Sequence, residues 1–144
     1  MKNTISHRVA DFLKNYPPFN MLPLAVLEDI SLQIQIEYAE KDQLIFQEGG
    51  LPHDHFYVVH KGAVALSKAP GQEMVDLCDE GDIFGLRPLM AQENYKMSAT
   101  THEESILYAI PIAVFKPFAL KNKAIGNFLL ESFASNTRHP YAKN

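Results

Sequence analysis

One cysteine, Cys78, stands in 144 residues, so no disulfide framework holds the chain together, and a reducing compartment suits it. A basic cluster is also missing: 13 lysines and arginines against 17 acidic residues give a formal charge of −4. Nucleic-acid binding depends on counterion release by a basic patch, so no nucleic-acid partner is expected. No apolar run approaches the roughly 20 residues that span a bilayer. Nor does a signal-peptide core follow Lys2 and Arg8. No membrane partner is expected, and the reading is a soluble, cytoplasmic protein. Internal repeats and low-complexity tracts are absent as well.

What remains is an ordinary globular composition, 47% apolar and 21% charged, sufficient for one core. Residues 1–33 read as a helical lead-in. Ile5, Val9, Phe12 and Leu13 form a helical stripe, Pro17 and Pro18 stop it, and Pro23 suits the first turn of a second helix carrying Leu24, Leu27 and Ile30. Over residues 34–110 the period changes to two: Ile34, Ile36 and Tyr38, then Leu44 and Phe46, Phe56 and Val58, Val64 and Leu66, Val75 and Leu77. Turn chemistry separates these runs at Gly49-Gly50, Lys61-Gly62, Ala69-Pro70-Gly71 and Glu80-Gly81-Asp82. Short strands with glycine-marked turns predict an antiparallel sandwich or barrel. A last strand pair is expected at Ser98–Thr101 and Ile106–Ile110. Residues 111–136 read as a C-terminal helical segment that Pro117 should bend or break, and residues 137–144 as a polar tail or linker.

The chain is organised around Gly81–Thr100, GDIFGLRPLMAQENYKMSAT. A buried strand (Ile83, Phe84) runs into Gly85, a helical turn follows from Leu86 to Met90, and a polar loop leads to a strand at Lys96–Thr100. Glycine between a strand and a helical turn lets backbone amides converge on an anion. Together with Glu48-Gly49-Gly50 and Phe56-Tyr57-Val58-Val59…Gly62-Ala63-Val64, this stretch resembles the cyclic-nucleotide-binding domain family over roughly residues 20–135. The resemblance implies a mainly β fold, a double-stranded β-helix (jelly roll) with N-terminal helices and a C-terminal helix. It also implies a regulatory role and a ligand pocket formed by Phe84, Gly85, Leu86, Arg87, Pro88, Leu89, Lys96, Met97, Ser98 and Ala99.

The polar handles of the family pattern are missing from that pocket. Leu86 stands where the pattern has a ribose-binding glutamate, Met97 where it has a phosphate-binding arginine, and Pro88, which has no N–H, where it has alanine. Losing the two charged contacts costs on the order of 4 kcal/mol, about a thousandfold in affinity. Gly85 and the Ser98 hydroxyl are retained, and Arg87 and Lys96 stand one position from the lost contacts. Strand alternation would give Lys96 the facing of Ser98. Three readings stay open: an apolar filling of the old pocket, a different small anionic ligand, or genuine cyclic-nucleotide binding.

The runs PPFNMLPLAVLEDI, LPHDHFYVVHKGAV and LYAIP further resemble the N-terminal domain of bacterial signalling proteins. There such a domain precedes a CBS pair and a nucleotidyltransferase-like domain, where any enzymatic activity would lie. For the chain itself no catalytic residue, cofactor or metal is expected. His53-Asp54-His55 has metal-like spacing, as in a cupin, but Phe56 to Lys61 contains no carboxylate to complete such a site. His60 reads as a surface or edge side chain. A helix-turn-helix is not expected after Phe133. Ile125, Phe128, Leu129 and Phe133 form an aromatic-rich stripe that would suit a homodimer through the C-terminal helix.

Overall fold

The computed structural model describes residues 4–71 and 73–134. Eight strands build two four-stranded antiparallel sheets. One orders β1 (Gln35–Ala39), β8 (Ser105–Pro111), β3 (His55–Lys61) and β6 (Ile83–Phe84); the other orders β2 (Leu44–Phe46), β7 (Ser98–Thr101), β4 (Val64–Lys68) and β5 (Glu73–Cys78). This is the expected jelly roll. The supposed last strand pair is not a pair. Residues 102–104 carry the chain from one sheet to the other, so β7 bonds to β2 and β4 while β8 bonds to β1 and β3.

Strand β3 shows how the layers divide. Tyr57 faces the second sheet, 6.5 Å from Phe46 of β2, and stacks at 5.1 Å on Phe84 of the neighbouring strand β6, centroid to centroid. The even residues of β3 face the helices. Phe56 packs at 5.0 Å on Phe115 of α4 (Ile112–Lys121), which packs at 5.9 Å on Phe19, and His60 packs at 4.6 Å on Phe12 of α1 (Thr4–Leu13). Burying each phenylalanine contributes about 1.5–3 kcal/mol, so the helices extend the barrel's core across the outer face of this sheet. A short 3₁₀ turn (Phe19–Met21) and α2 (Leu24–Ser31) complete the lead-in, after a cis Pro17–Pro18 bond.

Three local expectations fail for physical reasons. On edge strand β1 the apolar Ile36 and Tyr38 point to solvent at 49% and 60% exposure, Ala39 is buried, and the part-exposed Glu37 turns toward His55. Pro117 does not break α4. The break falls at Asn122, whose extended backbone donates to the Phe118 carbonyl while its side-chain Oδ1 accepts from Ile125 N at 3.1 Å, so that one residue caps α4 and opens α5 (Lys123–Ala134). His60 is not a surface side chain: its ring stacks on Tyr108 at 4.8 Å, and its Nδ1 is buried without a hydrogen-bond partner. Cys78 is fully buried, as a strand thiol should be.

Candidate functional site

Gly85 sits at φ +77°, a conformation that side chains disfavour, and a Cβ there would meet Phe46 Cε2 at 3.0 Å. The glycine thus allows the turn out of β6 and the close approach of the Phe46 ring. The single helical turn that follows is α3 (Arg87–Ala91), with Pro88 near its start. It ends on Gln92 in the left-handed conformation (φ 57°), and the Glu93 amide returns to the Pro88 carbonyl at 3.0 Å.

Across from this turn the loop after β2 is zipped to residues 94–98. Gly49 N donates to the Tyr95 carbonyl (2.7 Å), Tyr95 N to the Gly50 carbonyl (3.0 Å), and Asn94 Nδ2 to the Gly49 carbonyl (3.1 Å). The Ser98 hydroxyl accepts from Glu48 N at 2.9 Å, so its oxygen serves this zipper. Tyr95 then lays its ring flat on Phe46, centroids 3.8 Å apart and planes within 5°. Burial pushes the Tyr95 phenol up from its ordinary pKa, and its oxygen accepts from the His53 amide at 2.9 Å.

The resulting opening is bordered by Phe46, Arg87, Pro88, Glu93, Tyr95, Lys96 and Met97 and measures about 270 Å³ with its open solvent included. Its enclosed part is only about 10 Å³, room for one water-sized sphere, against the roughly 300–1,000 Å³ of ligand pockets. Of the ten residues anticipated for the pocket, Arg87, Pro88, Lys96 and Met97 meet there. Leu86 and Ala99 are fully buried in the core; Leu89, Met97 and Ser98 are almost so, at 6–8% exposure, and Phe84 is buried against Tyr57. Strand β7 starts only at Ser98, so the expected alternation does not reach Lys96, whose exposed ammonium pairs with Glu93 at 3.4 Å. Arg87 is half-buried and turned to α5, with Nη1 donating to the Phe133 carbonyl at 3.2 Å.

Sequence reasoning missed Phe46, Glu93 and Tyr95 at this site. A lone aromatic in the polar run Gln92-Glu93-Asn94-Tyr95 was the available signal, since a tyrosine placed in a loop usually packs on something.

The family model described as "Cyclic nucleotide-binding domain" matches residues 36–122, more than half of the chain. No curated protein sequence matches. Among solved structures, the fold is similar to the regulatory domain of Toxoplasma gondii PKA co-crystallised with cAMP (TM-score 0.75, 21% identity, 88% of this chain and 49% of that one). It is similar as well to the sensor domain of the transcriptional regulator DNR from Pseudomonas aeruginosa (TM-score 0.75, 19% identity, 87% of this chain and 86% of that one). The chain therefore spans about half the length of the first of these and most of the second.

Proposed function

The chain belongs to the cyclic nucleotide-binding domain family, and from that premise we propose that it is a regulatory, non-catalytic member that does not take cyclic AMP or cyclic GMP tightly. The observation that carries this reading is the filled cassette. Leu86 is fully buried in the core, and the Phe46–Tyr95 stack at 3.8 Å backs an opening whose enclosed part is only about 10 Å³. A cyclic phosphate entering there would lose water without an arginine at Met97, and the ribose hydroxyl would meet no acceptor at Leu86. Calorimetry of the unaltered domain with cyclic AMP and cyclic GMP tests this: no dissociation constant below about 10 μM is expected, and one below it overturns the reading.

A second reading, a small anion other than a cyclic nucleotide, is favoured by Arg87 and Lys96 both bordering the opening. Such a ligand would have to draw Arg87 away from Phe133. Calorimetry with a panel of small phosphates and carboxylates distinguishes the two.

The wider setting we propose is the sensor end of a bacterial, cytoplasmic signalling protein with a CBS pair and a nucleotidyltransferase-like domain. It rests on the resemblance of the three runs around Pro17, Leu51 and Leu107. Reading the coding sequence beyond Asn144 tests it. The proposed homodimer through the C-terminal helix has to use other side chains than its stripe alone, because Ile125 and Leu129 pack into the core. Leu120 and Leu130, 71% and 68% exposed, are what α4 and α5 offer a second copy. Sedimentation of the wild type against Leu120→Ser and Leu130→Ser decides this; a monomer at high concentration rejects the dimer.

A further inference from the structure

Among the described residues no group of three histidine, cysteine, aspartate or glutamate side chains could hold a metal ion. The His53-Asp54-His55 run builds something else. Asp54 Oδ1 lies 2.7 Å from His55 Nδ1. Tyr57 Oη lies 3.3 Å from His55 Nε2 and 2.8 Å from His53 Nδ1. Glu37, part-exposed on β1, approaches His55 Nε2 at 3.8 Å, and the Tyr95 hydroxyl accepts from the His53 backbone amide. Tyr57 is buried, 3% exposed, while Asp54 reaches solvent.

With His53 neutral, counting hydrogens limits this relay to two states. The Asp54 carboxylate only accepts, so His55 Nδ1 carries a hydrogen whether the ring is neutral or charged. The phenol has one hydrogen to give. With His55 neutral, its Nε2 takes that hydrogen, and the Tyr57 oxygen is left to accept from His53 Nδ1–H. With His55 charged, its Nε2–H donates to the Tyr57 oxygen, and the phenol gives its hydrogen to a bare His53 Nδ1. The hydrogen bonds among Asp54, His55, Tyr57 and His53 are all made in both states, Glu37 gains a charged partner only in the second, and the two states require opposite tautomers of His53.

We propose that His53, Tyr57, His55 and Asp54 form a proton-sensing relay in which charging of His55 reverses both hydrogen bonds of Tyr57 and switches the tautomer of His53. The protons balance. One from solvent binds His53 Nε2, the Nδ1 hydrogen passes to Tyr57 Oη, and the phenol hydrogen passes to His55 Nε2. The charge comes to rest between Asp54 and Glu37. Burial, followed by the neighbouring His55, holds the His53 pKa below the ordinary range, which keeps the charge off that ring. The readout lies against the aromatic stack that borders the opening: the His53 ring stands edge-on to Phe46 (6.1 Å, 86°) and Tyr95 (5.5 Å, 83°). Its Nε2 turns from acceptor to donor beside the aromatic stack. The device works whether or not anything binds there.

Imidazole nitrogen NMR on the ¹⁵N-labelled chain, between about pH 5 and 8, tests the relay. His53 is expected to move from the Nδ1–H to the Nε2–H tautomer with the same midpoint at which His55 titrates. In Tyr57→Phe the two rings should uncouple, His53 keeping one tautomer through the His55 transition. A second variant at the exposed end, Asp54→Asn, should displace both midpoints together. The relay is overturned by a His53 tautomer that never changes, by a switch that persists unaltered in Tyr57→Phe, or by an Asp54→Asn shift at His55 that His53 does not follow.

Discussion

Arg87 Nη1 donates to the Phe133 carbonyl at 3.2 Å across 46 positions of chain, and its guanidinium carbon lies 6.0 Å from the centre of the same residue's ring. One side chain thus ties the turn beside the opening to the end of α5. One of the two cations bordering the opening is already engaged with a helix terminus, where carbonyls favour a cation.

Arg87→Ala should therefore loosen α5 more than it loosens the barrel. A loss of about 0.5–2 kcal/mol is expected by urea denaturation, from a hydrogen bond and a cation–π contact at the edge of its range. Hydrogen exchange should quicken in the last turns of α5 before it quickens in β3 or β8. Uniform quickening throughout would argue against a local tie.

The two charged handles of the family pattern should behave differently when restored. Leu86 is fully buried in the core, so Leu86→Glu places a carboxylate among apolar side chains and should cost at least 3 kcal/mol. Met97 borders the opening, so Met97→Arg can reach water and should leave stability within about 1 kcal/mol. Thermal unfolding of the two variants measures the contrast. Equal losses would mean that Met97 is as much core as Leu86.

Acid should weaken the fold through His60. Burial, then Lys61, holds its pKa below the ordinary value, while Glu80 works the other way. The unfolded chain thus takes up a proton more readily than the folded one. The stability this gives is present above the unfolded pKa of about 6.5 and is lost as pH falls from there through the folded value. His60→Phe keeps the contacts to Phe12 and Tyr108 and removes the orphaned Nδ1. It should flatten the decline in Tm between about pH 7 and 5 and, at pH 7, gain up to roughly 1 kcal/mol. A decline as steep as that of the wild type would place the acid sensitivity elsewhere, His53 being next in line.

Tyr95→Phe should keep the stack on Phe46 and leave the His53 amide without its acceptor. Orphaning a part-buried donor costs about 1–3 kcal/mol. Denaturation gives the total. Faster exchange of the His53 amide, with that of Gly49 unchanged, would assign the loss to this bond.

The barrel was legible because each strand had its own period and its own turn. Gly62, Gly81 and Gly85 all adopt positive φ where the sequence places turns, which is why glycine spacing carried the topology so far. The residues read by pairwise alternation fared worse. Ile36 and Tyr38 have the right period and the opposite facing, because an edge strand can turn apolar side chains outward while Glu37 turns toward His55. At the site, Leu86 and Met97 were readable as losses, since a missing carboxylate or guanidinium needs no coordinates. Tyr95 was not. Its place is set by hydrogen bonds to Gly49, Gly50 and His53, contacts more than 40 residues apart in sequence that no local pattern encodes.

The pairing of β1 with β8, Gln35 opposite Ala109 and Ala39 opposite Ser105, has a consequence for how the chain is made. β2 likewise waits for β7. During synthesis the ribosome releases β1 and β2 roughly 50 to 75 residues before their partners, and among the described strands only β4 and β5 pair as neighbours in the chain. Pairing over such separations makes closure late and slow. The nascent barrel therefore spends most of its emergence with two open edges, one of them bearing Ile36 and Tyr38, so its exposure to aggregation should peak just before residue 105 leaves the exit tunnel.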